Sequence, residues 1–159
     1  MKKISLFFLL VALFQGLQAQ KTVEYGGLKW YLDYDEARAV AQKQHKPIVI
    51  LFTGSDWCPP CKALRREVFP NPEFQKKAEK VILVLADFPR RKQLPAEQMN
   101  KNRRLASLFL GRSGLPTMVG VDWRTGEVLN KITGYNFYKH DIAPHMRFMD
   151  EVVKNFNEK

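Results

Sequence analysis

The sequence of 159 residues holds only two cysteines and three histidines. Two thiols cannot build the disulfide framework of a stapled miniprotein. No apolar run reaches the roughly 18 residues of a typical membrane span. Internal repeats and low-complexity linkers are also missing, which excludes collagen, coiled-coil and solenoid architectures. What is present is 45% apolar and 26% charged, with 9 Gly and 9 Pro. That is too apolar for a disordered tail and suits one compact domain with an ordinary core.

Met1–Ala19 reads MKKISLFFLLVALFQGLQA. A positive n-region, Lys2-Lys3, precedes an almost continuous apolar stretch from Ile4 to Phe14, and Leu17-Gln18-Ala19 ends on a small residue. This pattern predicts a secretory signal peptide over 1–19 and a single domain over 20–159, placed in the periplasm or secreted after cleavage. Its apolar residues occupy every helical face, unlike a half-buried helix, and no Cys near the cleavage point offers a lipid attachment site. Losing two of the 26 Lys and Arg takes the net charge from +10 to about +8. Export argues against nucleic acid as the partner of this basic chain. The two local clusters, Arg90-Arg91-Lys92 and Lys101–Arg104, read as solvated faces, with acidic protein partners as the alternative.

Along the remaining chain, Asp33–Gln44 predicts a helix capped by Asp33 or Asp35, with Ala37, Val40 and Ala41 on one face. After Pro47, Ile48–Phe52 is a continuous apolar run of strand length and reads as a buried central strand. Cys58–Phe69 predicts a helix, Asn71-Pro72-Glu73 starts another, and Val81–Ala86 forms a second buried strand. Pro95–Leu110 returns to helix. Thr117–Val121 and Val128–Thr133 read as a hairpin turning at Arg124-Thr125-Gly126. Ile142, Met146, Met149, Val153 and Phe156 mark the apolar face of a terminal helix. This order implies an α/β fold with a mixed central sheet flanked by helices on both faces.

Both cysteines lie in Trp57-Cys58-Pro59-Pro60-Cys61, at the mouth of the helix that follows the apolar strand. Zinc needs three or four protein ligands, and His45, His140 and His145 are remote in sequence. A structural disulfide would close so short a loop that it restrains little of the unfolded chain. Redox chemistry has a positive argument, because the helix N-terminus favours a Cys58 thiolate. Pro59 and Pro60 fit the first helical turn, where a missing N–H is tolerated, and they hold the sulfurs at a fixed reach.

With Phe52-Thr53-Gly54-Ser55-Asp56 before the motif, Gly114-Leu115-Pro116-Thr117 far beyond it, and Gly134 after the last strand, the chain resembles the thioredoxin superfamily from about Asp33 to Lys154. Within it the chain is similar to exported bacterial thioredoxin-like proteins. The resemblance implies a thioredoxin-like fold, with Cys58 as nucleophile and Cys61 resolving the mixed disulfide. It also implies that Pro116 is a cis-proline facing the disulfide, and that Trp57, Pro59, Pro60 and Leu115 line the substrate side. The sequence departs from the family where cytoplasmic thioredoxins carry a buried Asp: that position falls on Leu51, followed by Phe52, and neither moves a proton.

Trp57 reads equally as a shield for the sulfurs or as a packing aromatic. Lys62 is either an electrostatic aid to the thiol or a solvated helix lysine, and His140 and His145 read as surface residues. The expected function is exported thiol–disulfide exchange with protein disulfide and dithiol clients, reducing in preference to strongly oxidising. It calls for no bound cofactor or metal, no nucleic acid and no membrane insertion, and it needs an electron-donor protein. The alternative is a non-catalytic protein that holds copper or a client through the motif.

Overall fold

The computed structural model describes residues 21–159. The expected signal peptide and its cleavage point lie outside the described residues. Among the described residues no helix is long and apolar enough to cross a membrane.

The sheet is built around the two apolar runs that read as buried strands. β3 (Ile48–Thr53) and β4 (Ile82–Asp87) are buried at every position and pair in parallel, from Ile48 with Ile82 to Thr53 with Asp87. A parallel pair needs a crossover, which α2 (Pro59–Glu67) and α3 (Pro72–Ala78) supply. On the other side of β3 the hairpin of β5 (Thr117–Val121) and β6 (Val128–Thr133) adds two antiparallel strands. A hairpin absent from the sequence reading extends the opposite edge: β1 (Thr22–Tyr25) and β2 (Leu28–Tyr31), with β2 parallel to β4 at Tyr31 and Val84. The order is β1-β2-β4-β3-β5-β6.

Alternation along the central strands sends side chains to two cores. Val49 and Leu51 join Leu83, Leu85 and Met118 beneath α2, α3 and α5 (Ala143–Asn157). Ile48, Ile50 and Phe52 join Val84, Ala86 and Val119 beneath α1 (Tyr34–Gln44) and α4 (Ala96–Leu105). Helices therefore cover both faces, as the element order implies. Asp33 caps α1 by accepting the N–H groups of Asp35 and Glu36, and Asn71 caps α3 in the same way. The helix expected over 95–110 changes winding: α4 stops at Leu105 and a π-helical turn spans Ala106–Leu110.

The new hairpin is anchored by Trp30, fully buried with its indole N–H donating to the Tyr25 carbonyl at 2.9 Å. Its ring packs 5.3 Å from that of Phe69. On α5 the inward apolar residues are Met146, Phe148, Met149, Val152 and Phe156, so Val152, not Val153, occupies the fully buried position. Gly120 of β5 lies directly under it: a Cβ there would collide with Val152 Cγ2.

Candidate active site

Cys58 and Cys61 are joined by a disulfide at the N-terminus of α2. Cys58 is the N-cap residue in extended conformation, and Pro59 and Pro60 open the helix. Four N–H groups begin a helix without intrahelical partners. Here two are replaced by proline nitrogens, and Lys62 N donates to the Cys58 carbonyl at 3.1 Å. The backbone donor left near Cys58 is the N–H of Cys61, together with the helix dipole.

The sulfurs are closely enclosed, Cys58 being 3% and Cys61 1% exposed. The Leu115–Pro116 peptide is cis, and the Leu115 carbonyl oxygen lies 3.7 Å from Cys58 Sγ. In the disulfide the sulfur has no proton, so this is a contact and not a hydrogen bond. The Leu115–Pro116 turn is pinned from two sides: Gly134 N–H, just past β6, donates to the Pro116 carbonyl at 2.7 Å, and the Thr117 hydroxyl donates to the Gly114 carbonyl at 2.7 Å. The fold thus brings two segments 57 residues apart against one another. Leu115 is half-buried and Pro116 buried, while Pro59 is exposed and Pro60 half-buried beside the sulfurs.

Trp57 is half-buried, and its indole N–H donates to the Phe88 carbonyl at 2.8 Å. Gly54 makes room for it, since a Cβ there would stand 2.6 Å from the indole. The Arg90 guanidinium covers the ring, 3.6 Å from its centroid. Trp57 is therefore held in place by packing at the helix entrance while keeping an accessible edge.

A carboxylate clamp fixes the loop before the motif, and the sequence reading missed it. Asp56 accepts the backbone N–H groups of Arg90, Arg91 and Lys92 at 3.0, 2.8 and 3.1 Å. Burial pushes its carboxyl upward, but these backbone bonds outweigh that and hold it below the usual range. Asp87, at the end of β4, accepts Ser55 N–H at 2.9 Å and Ser55 Oγ–H at 2.6 Å, and pairs with Lys92 at 3.1 Å. Buried Asn102 donates to the Asp87 carbonyl at 2.7 Å. The available signal was the polar Ser55-Asp56 pair beside the motif; its partners lie 32 to 36 residues away.

One expectation about the surroundings changes. The apolar floor expected from Leu51 and Phe52 is Leu51 alone, because β alternation puts Phe52 in the opposite core. Glu67, the one acid of α2, sits at the far end of that helix, about 9 Å along it from Cys61. Its carboxylate accepts from the Tyr135 hydroxyl at 2.7 Å, with His140 at 2.9 Å and Arg66 at 2.6 Å, and these partners hold it at about 2. An acid so firmly ionised is a weak proton acceptor.

His140 is exposed as expected, but His145 is not. His145 is 3% exposed on the inward face of α5, its Nδ1 has no partner, and its ring meets that of Tyr135 edge-on. Burial pushes the imidazole down to about 4, against the Gly134 backbone bond and the Asp141 charge, which act upward. Among the described residues no three His, Cys, Asp or Glu side chains converge in a way that could hold a metal.

The family model described as thioredoxin-like matches residues 29–150. Over 109 residues the chain is 33% identical to the disulfide bond reductase DsbH of Chlamydia pneumoniae, covering 68% of this chain and 64% of that protein. Over 94 residues it is 31% identical to the thioredoxin-related protein DsbJ of the same organism, covering 58% of this chain and 27% of that protein. The matched stretch spans less than two thirds of the length of either curated relative. Among solved structures, a DsbH oxidoreductase superposes with a TM-score of 0.67 at 28% identity, covering 88% of this chain and 94% of that one.

Proposed function

This chain belongs to the thioredoxin-like family, and on that premise we propose that it is an exported thiol–disulfide oxidoreductase that reduces protein disulfides. The observation that carries the reading is the Cys58–Cys61 disulfide at a helix N-terminus, with the Leu115–Pro116 turn against Cys58. DsbH is described as a disulfide bond reductase, which supports the same chemistry.

In the reduced protein, the Cys58 thiolate attacks one sulfur of a client disulfide. The client S–S bond breaks, and the departing client thiolate takes up a proton. Cys61, once deprotonated, attacks Sγ of Cys58 and expels the second client thiolate, so two electrons pass from protein to client. A donor protein then returns two electrons to the Cys58–Cys61 disulfide. Trp57, Pro59, Pro60, Leu115 and Pro116 form the surface on which the client lies.

Pro59 and Pro60 set the direction. Strong oxidants stabilise their reduced form by giving the thiolate extra donors or a cation within the motif. Two prolines offer neither, so the reduced form gains no such support and the potential falls nearer reducing thioredoxins than strong oxidants. Met1–Ala19 directs export, with cleavage before Gln20 and action in the periplasm or outside the cell.

Three measurements test this. Cys58→Ser should abolish insulin reduction, whereas Cys61→Ser should accumulate mixed disulfides; equal trapping by both variants would refute the division of labour. Titration against glutathione should find a reducing couple, and a value among the strong oxidants overturns the direction. Mass spectrometry of the exported protein should find a chain beginning at Gln20.

A further inference from the structure

The basic run Arg90-Arg91-Lys92 is distant from the motif in sequence, yet the fold delivers it there. Asp56 gathers its three backbone N–H groups, and Arg90 lies on the ring of Trp57, the residue next to Cys58. On α2, Lys62 directly follows Cys61, and Lys62, Arg65 and Arg66 border a shallow open concavity with Pro70. The motif is thus flanked by cationic residues before and after it.

The local acids do not neutralise this charge. Asp56 is satisfied by backbone, Asp87 by Ser55 and Lys92, and Glu67 by Tyr135, His140 and Arg66. Among the described residues, Lys62, Arg90 and Arg91 are exposed and have no carboxylate within ion-pair distance, whereas the exposed Arg65 lies over the Tyr25 ring, 4.8 Å from its centroid. The second basic run differs. Its Lys101 pairs with Asp33 and Glu97, and Arg103 and Arg104 lie on α4, which packs on the other face of the sheet.

Because the sulfurs are nearly enclosed, a client has to press the chain around its own disulfide against this rim. A guanidinium without a carboxylate partner can hold an acid through two parallel hydrogen bonds, and charges closer than a Debye length of about 10 Å are only partly screened at moderate ionic strength. Taking the thiol–disulfide reading as its basis, we propose that the rim formed by Lys62, Arg90 and Arg91 selects clients whose disulfides are flanked by Asp or Glu.

The test is the rate at which the reduced full-length mature protein exchanges with two cyclic disulfide peptides, identical except for flanking Glu or flanking Lys. Neutral 2-hydroxyethyl disulfide serves as a third substrate. The acidic peptide should react about tenfold faster than the basic one, and the ratio should shrink between about 0.05 and 0.5 M salt. Arg90→Glu/Arg91→Glu should abolish or invert the ratio. Arg103→Glu/Arg104→Glu, with the same change in net charge, should keep it. Exchange with 2-hydroxyethyl disulfide but equal peptide rates overturns the charge selection alone. A ratio that survives Arg90→Glu/Arg91→Glu does the same. Retention on anionic phosphatidylglycerol vesicles together with equal peptide rates would assign the patch to a membrane surface instead. No exchange with any of the three disulfides overturns the thiol–disulfide reading, and this proposal with it.

Discussion

Acidification should destabilise this protein in a window set by one imidazole. His145 is held neutral at about 4 in the fold, against an ordinary value of 6.5 once the chain unfolds. The depressed value means the unfolded chain takes up the proton first. The contribution is therefore complete above about pH 6.5 and is lost as pH falls toward 4. The separation corresponds to a limit of about 3 kcal/mol, of which roughly 1 kcal/mol is lost by pH 5.5 and most by pH 4. Against a typical domain stability of about 5–15 kcal/mol this is a large fraction. The groups facing the ring are the Gly134 backbone, Asp141 and the Tyr135 ring. Glu67, held at about 2, contributes stability that is present above its unfolded value of 4.5 and is lost below it, so its window lies under that of His145. Urea unfolding across the range, in wild type and in His145→Gln, isolates the imidazole by difference. The wild-type curve should fall more steeply than the variant's between pH 6.5 and 4. Parallel curves, or a His145 titration near 6.5 followed by NMR, would refute the reasoning.

Gly120→Ala should cost about 1–3 kcal/mol by overpacking against Val152. Part of that should return when Val152→Ala is added, as measured by denaturant midpoints. Asp56→Ala leaves three backbone N–H groups without their carboxylate and should loosen the 90–92 segment. Hydrogen exchange at Arg90, Arg91 and Lys92 should accelerate selectively; unchanged exchange there counts against the clamp. With Leu51 buried beneath α2, mixed-disulfide resolution by Cys61 should quicken as pH rises. A rate already fast and flat between about pH 6 and 8, below an ordinary thiol's value, reveals another base.

Reading the sequence worked where the signal was local. Ile48–Phe52 and Val81–Ala86 are continuous apolar runs, and both became buried strands within a residue of the expected bounds. The 117–133 hairpin was also legible, marked by its turn residues. The N-terminal hairpin was not. Its strands have four residues each, and the exposed positions of β1 and β2 leave no apolar run. Trp30 becomes core only when Phe69 closes over it. The break in the helix at Leu105 has no cue in Gly or Pro, so the π-helical turn was equally hidden.

The sequence alone determined the cysteine pair, the helix mouth that holds it and the two prolines that remove backbone donors there, because all depend on neighbours within a single turn. Pro116 was reached through family resemblance, since nothing between residues 61 and 114 announces that the turn folds back onto Cys58. Only the tertiary structure decided which groups surround the sulfurs. Asp56 finds its backbone partners 34 to 36 residues on, Arg90 reaches Trp57 through that clamp, and β alternation removes Phe52 from beneath the motif. His145 shows the same limit most plainly. A histidine between Pro144 and Met146 carries no mark of burial in the sequence, and its neutrality is imposed when α5 turns it inward beside Tyr135 and away from water.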